Sequence, residues 1–262
     1  MYLSWQATSS SQPEFAHPYT ILVPHAEISV ASPAGAEAPL DPGSVKLFKD
    51  DIVCATFHKE QSHLWKNTDK LENYIGKAAD FDLIYVVGGH GRTYTSDPSL
   101  EYKHCIRNSR LYPHYSSQIK LNVGVAWHLL TYPSHFPALW DLTDNTSSQK
   151  LLAEFYDSGK IVAAVCHGSC ALLNVKIANG ELIFKDQPVT GFSDEEEAQV
   201  GLDKAVPFLL ETELIKKGGK YEKASAPWGA HVSVGRDGRL ITGQNPASAA
   251  GIAELFLKHY KN

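Results

Sequence analysis

Two stretches of the chain carry residue types that could do chemistry, and Cys166 stands in the first. It follows Ile161, Val162, Ala163, Ala164 and Val165, an unbroken run of small and β-branched residues, and precedes His167, Gly168 and a helix-like pattern through Leu172 and Leu173. Such a run reads as a strand buried on both faces. The corner after it must turn the chain into a helix, which is the geometry of a nucleophile elbow. A side chain at that corner projects above the sheet, where the unpaired amides of the first helical turn favour an anion. For a thiol, that environment lowers the pKa and stabilises the oxyanion formed when the thiolate attacks a carbonyl. The competing reading is a buried structural cysteine ahead of a helix. In the second stretch, residues 81–87 form another buried run and end in Gly88, Gly89, His90 and Gly91. Glycines after a buried strand let backbone amides approach a ligand closely, which suits the second half of an oxyanion hole.

Ala164-Val165-Cys166-His167-Gly168 after a buried strand resembles the PfpI superfamily, the glutamine-amidotransferase-like fold that includes the parkinsonism-associated deglycase. Residues 81–91 and 188–197 are similar to its glyoxalase III branch, the heat-shock chaperone-like proteins. Ser32-Pro33-Ala34-Gly35 and Asn245-Pro246-Ala247-Ser248-Ala249 extend the match. The resemblance implies an α/β fold: a flavodoxin-like three-layer sandwich with a mostly parallel central sheet and a nucleophile elbow. Cys166 is then the nucleophile, His167 its imidazole, and Glu197, five residues past Phe192, the carboxylate that holds the ring. Glu14 is the glutamate that points at the thiol, and Gly88, Gly89, His90 and Gly91 form the oxyanion and substrate loop.

Each carboxylate also has a plainer reading. Glu14 could be a solvated glutamate before a proline-containing turn, and Glu195-Glu196-Glu197 could be charge favoured by the dipole at a helix start. Glu195 and Glu196 are expected on other helix faces, where they should be dispensable. The implied activity is glutathione-independent conversion of methylglyoxal, a 2-oxoaldehyde, to D-lactate, with deglycation of early protein adducts at the same site. It needs no cofactor. Two other classes stand beside it: a holdase chaperone or stress-response protein that uses Cys166 as an oxidation sensor, and a cysteine peptidase or amidohydrolase. The family's habit implies a homodimer.

Composition agrees with this reading. At 262 residues and a formal net charge of -5, the chain suits one large α/β domain spanning 1–262. Without a basic run it lacks the electrostatic footprint of a nucleic-acid binder. Cys54, Cys105, Cys166 and Cys170 show no disulfide framework, and no set of His and Glu has metal-ligand spacing, so no metal is expected. The first residues lack a secretory layout and no apolar run is long enough for a bilayer, so a membrane partner is not expected and a cytoplasmic location is, with the nucleus a second compartment.

The elements that must position these residues read less evenly. Residues 1–12 match no part of the family pattern, which begins only at Pro13-Glu14-Phe15-Ala16-His17-Pro18-Tyr19. The family's first, central strand is therefore expected to be missing, which would leave unpaired edges on both neighbours. A helix end at 19–23, a strand at 26–31, a loop at 38–44 and a helix at 69–75 follow. Residues 92–138 form an atypical insertion before Leu139-Trp140-Asp141-Leu142. Arg92-Thr93-Tyr94 back-translates to a fungal-type donor splice site, Leu130-Thr131 to a branch point and Pro137-Ala138 to an acceptor, so excision would restore Gly-Gly-His-Gly-Pro-Leu-Trp-Asp-Leu. A retained intron and a lineage-specific lid are the two readings of this segment. The missing strand and the insertion together predict a chain that folds poorly or is inactive. Further on, Leu151, Leu152, Phe155 and Tyr156 mark a helix stopped by Gly159. Residues 181–184 and 188–190 suggest a small hairpin or a strand pair, residues 195–217 a long helix broken at Pro207, residues 236–239 the turn of a strand pair, and Leu255 to Tyr260 a final helix. Trp228 and His231 could line a pocket or be ordinary core and surface residues.

Overall fold

The computed structural model describes residues 2–5, 10–38, 40–89 and 142–260. The chain opens with β1 (Tyr2–Trp5), α1 (Gln12–Leu22) and β2 (Ile28–Ser32). Three helices follow, α2 (Pro42–Leu47), α3 (Ile52–Glu60) and α4 (His63–Lys66), and then β3 (Asp69–Lys70) and β4 (Leu83–Val86). Beyond the insertion come α5 (Thr146–Asp157), β5 (Ile161–Val165), β6 (Pro188–Val189), α6 (Asp194–Val200) and α7 (Leu210–Lys216). The chain closes with β7 (Lys220–Tyr221), β8 (Val232–Gly235), β9 (Leu240–Gly243) and α8 (Ala249–Tyr260).

A seven-stranded sheet runs β3-β2-β1-β4-β5-β9-β8, with β8 antiparallel to β9 and every other pair parallel. Renumbered within the parallel block, β2-β1-β4-β5-β9 is the flavodoxin-like order, whose ligand crevice lies beyond the carboxyl ends of the strands where the order reverses. Alternate residues of each strand face opposite layers. Ile84, Val86, Val162, Ala164 and Leu240 pack in one cluster with Leu151, Leu152 and Phe155 of α5. Leu83, Tyr85, Ala163, Val165 and Ile241 pack in the other with Phe15 of α1, Phe57 of α3 and Phe256 of α8. Because both faces are covered, the strands read as continuous apolar runs, which is why β4 and β5 were legible in the sequence. Among the described residues no helix is long and apolar enough to cross a membrane.

Four expectations are corrected. The central strand is present: β1 pairs in parallel with β2 on one side and β4 on the other, so no edge is open there. A ladder is made by the backbone, and Tyr and Trp favour strand geometry even where no family motif is present. The argument for poor folding from a missing strand therefore falls. The hairpin at 181–190 is not formed; residues 183–186 are turns, which bury Ile183 and Phe184, and β6 pairs in parallel with β7. The long helix is interrupted around Pro207 as expected, but over a wider gap, with α6 ending at Gly201 in the left-handed region (φ 75°) and α7 starting at Leu210. Of the loop read at 38–44, residues 42–44 are the start of helix α2, because Asp41 caps it through Gly43 N and Ser44 N, with Pro42 at the first position. The segment 92–138 and His90 and Gly91 lie outside the described residues.

Candidate active site

The elbow is formed as β5 ends. Cys166 has φ 56°, a left-handed backbone that costs a non-glycine residue on the order of 1–3 kcal/mol, and a 3₁₀ turn, Cys166–Leu172, leads away from it. Two glycines let the neighbouring strand end come close enough to hold this corner. A Cβ on Gly88 would lie 2.5 Å from the Val165 carbonyl oxygen and 2.6 Å from Glu14 Oε2. One on Gly168 would lie 2.7 Å from the Val86 carbonyl oxygen. The ends of β4 and β5 thus meet backbone to backbone.

Glu14 is delivered by the first turn of α1 and is fully buried. Pro18, four residues on in the same helix, has no N–H to give the Glu14 carbonyl. The Tyr85 hydroxyl of β4 donates to that oxygen instead, at 3.0 Å. The carboxyl Oε2 accepts the Gly88 amide at 3.0 Å. Among the described residues Oε1 has no partner that meets hydrogen-bond geometry, and the Cys166 thiol and Ser11 lie beside the carboxyl. Burial raises the Glu14 pKa to about 8 against those neighbours.

Cys166 is 2% exposed, and burial, then the charge of Glu14, pushes its thiol well above the ordinary range, while the His167 amide donates to the sulfur and pulls the other way. This corrects the expectation of a lowered thiol pKa. A short 3₁₀ turn offers the sulfur one amide, and complete burial next to a carboxylate outweighs it. With Glu14 neutral near pH 7, its charge no longer opposes the thiolate, and its proton is available to it.

His167 is fully buried, with Nδ1 3.6 Å from the Cys166 sulfur and Nε2 2.6 Å from Glu197 Oε2. A carboxylate can only accept, so Nε2 carries the proton and Nδ1 is left facing the thiol. The ring leans on Phe192 at 4.5 Å between centroids, and Phe192 meets Trp228 edge-on at 5.6 Å. Trp228, 43% exposed, closes an aromatic wall beside the imidazole.

Glu196 was expected to be dispensable, and it is buried at the centre of a network. Its Oε2 accepts from Ser193 N and Ser193 Oγ, and its Oε1 from Trp228 N and Asn245 Nδ2, each at 2.8 to 3.0 Å. It ties α6 to the Trp228 loop and to the Asn245 turn. Glu195 is exposed, as expected. The signal for Glu196 was in the sequence: Ser193 followed three residues later by Glu196 is a capping box, which turns that side chain back toward the buried N-cap. Pro18 four residues after Glu14 was likewise a readable sign of an orphaned carbonyl. His231 does not join the elbow; its Nε2 faces Ser233 Oγ at 3.2 Å and Glu222 Oε2 at 3.6 Å.

No family model matches the chain. Among curated proteins it is 33% identical over 121 residues to glyoxalase 3 of Candida albicans, covering 44% of this chain and 50% of the relative. It is 35% identical over 131 residues to a glutathione-independent glyoxalase of Saccharomyces cerevisiae, covering 47% and 54%. The chain thus spans about half the length of the curated relatives it matches. Its fold matches the crystal structure of the Candida albicans glyoxalase III over 98% of this chain and 96% of that one, with a TM-score of 0.68 and 21% identity.

Proposed function

Since the chain belongs to the PfpI superfamily, we propose that its elbow site is that of a glutathione-independent glyoxalase, turning methylglyoxal into D-lactate. The names of the two relatives support this reading. The observation that carries it is the fully buried Glu14 carboxyl, held by the Gly88 amide beside the Cys166 thiol.

In this reading the Cys166 sulfur adds to the aldehyde carbon while the thiol proton passes by way of Glu14 to the aldehyde oxygen, giving a hemithioacetal. A proton then leaves that carbon and returns to the neighbouring carbonyl carbon through an enediol. The first carbon is thereby oxidised to a thioester and the second reduced to an alcohol, within one molecule and with no outside electron carrier. A carboxyl with a pKa near the working pH can both take and give this proton, so Glu14 is favoured over His167 for the transfer. His167, held by Glu197, is then left to activate the water that displaces Cys166 and frees lactate. Gly88 was expected in the oxyanion hole, but its amide is engaged by Glu14. The oxyanion role therefore falls to Gly89 and the elbow turn.

A cytoplasmic homodimer that acts on a small 2-oxoaldehyde is part of this proposal. So is residues 92–138 being a translated intron whose replacement by Pro raises turnover; transcripts that all retain the segment would overturn that part. The test of the activity is lactate formation from methylglyoxal without glutathione, for the chain as written and for Cys166→Ser. The serine variant is expected to form none and, if a holdase role is separate, to keep suppressing aggregation of a client. A folded chain that forms no lactate, in both the full-length and the 92–138-replaced form, would overturn the proposal.

A further inference from the structure

Away from the elbow, the fold gathers three side chains of different metal-binding chemistry: His17 on α1, Asp51 at the N-cap of α3 and Cys54 in the first turn of α3. His17 is 34 residues from Asp51 in sequence, and one donor atom from each of the three lies within 4.8 Å of the others. We infer that His17, Asp51 and Cys54 form a binding site for a divalent cation of the zinc type, with water as the fourth ligand.

The donor set selects the ion. Imidazole, carboxylate and thiolate together suit zinc and its first-row neighbours, whereas a thiolate is a poor ligand for magnesium or calcium. The geometry is close to what such an ion needs. Bonds of about 2.0–2.3 Å at tetrahedral angles place ligand atoms roughly 3.3–3.8 Å apart. His17 Nε2 and Asp51 Oδ2 are at 3.1 Å, so this hydrogen bond opens slightly as the cation enters.

The carboxylate is already aimed. Asp51 Oδ1 accepts the Cys54 amide at 3.0 Å, which turns Oδ2 toward His17, as an outer-shell hydrogen bond orients a metal ligand. Access is one-sided: the His17 and Asp51 side chains are 30% and 29% exposed, and Cys54 is buried beneath them. A second observation points to a ligand there. Gln12 is buried and donates to the Cys54 carbonyl at 2.7 Å, while its Oε1 has no hydrogen-bond partner among the described residues and can accept from a cation-bound water. On binding, the Cys54 thiol proton is released to solvent as the sulfur–metal bond forms, and no electron is transferred. None of the three ligands takes part in the proposed reaction at Cys166, so metal binding and lactate formation are separable.

The test is titration of the full chain, stripped with a chelator, with cobalt(II) and then zinc. The expected result is one cobalt per chain with a near-ultraviolet thiolate charge-transfer band that zinc abolishes. Cys54→Ala should remove the band, and His17→Gln and Asp51→Asn should each weaken binding by about 10–100-fold or more. Cys166→Ser should leave the band unchanged. His17→Gln and Asp51→Asn are partly exposed changes, and Asn keeps the helix cap, so equal metal-free melting temperatures separate loss of the site from loss of the fold. A band that survives Cys54→Ala, or tight binding that survives all three substitutions, would overturn the inference.

Discussion

Replacing Glu14 by Gln should make the protein more stable as the pH rises from 5 to 8. The native Glu14 carboxyl has a pKa of about 8, against 4.5 for an ordinary glutamate. Between those values the native state keeps a proton that the unfolded chain has released. Stability therefore falls with rising pH by about 1.4 kcal/mol per unit for this one group. Over the whole interval the loss is on the order of 4–5 kcal/mol, comparable to a large part of the roughly 5–15 kcal/mol that holds a domain folded. Gln has the same shape, keeps an oxygen for the Gly88 amide and carries no titrating proton. The assay is urea unfolding of both proteins at pH 5, 6, 7 and 8, followed by the midpoint at constant slope. Other titrating groups are shared and cancel in the difference. The variant should gain on the parent by more than about 1 kcal/mol per pH unit above pH 5, with the gain complete near pH 8. The Cys166 thiol, ordinarily near 9 and raised here, acts only above this window. Parallel stability curves for the two proteins would show that Glu14 is ionised in the native state and refute the proton-sharing role given to it.

Other substitutions test the frame around the site. Glu196→Ala leaves the Ser193 and Trp228 amides without their acceptor and Asn245 Nδ2 with the Gly229 carbonyl alone, and should cost about 3–5 kcal/mol by denaturant unfolding, while Glu195→Ala stays within about 0.5 kcal/mol. Gly88→Ala drives a methyl against the Val165 carbonyl and the Glu14 carboxyl; loss of lactate formation with a lowered melting temperature is expected. Tyr85→Phe removes the donor to the Glu14 carbonyl and should cost about 1–3 kcal/mol, the penalty of one buried orphaned acceptor. Glu197→Gln should leave the fold in place and lower kcat by about 10²-fold or more with little change in KM, since it acts through the His167 ring.

Much of the fold was legible because it rests on short-range pattern. β4 and β5 are apolar runs, α5 shows its buried face at helical spacing, and β8 and β9 flank an Arg-Asp-Gly-Arg turn. The elbow could be read from the residues flanking Cys166, because a buried strand that must become a helix has few ways to do so. Only the tertiary structure decided the rest, because the deciding interactions join residues distant in sequence. Strand β1 is specified by backbone pairing with β2 and β4, which no local motif announces. The thiol pKa depends on burial and on a carboxylate brought from α1, so a rule for helix starts gave the wrong sign. Glu196 looked like surface charge until the Trp228 and Asn245 loops closed over it. Asp51 and Cys54 lie three residues apart at the start of α3, and His17 joins them only when α1 and α3 pack on the same sheet face.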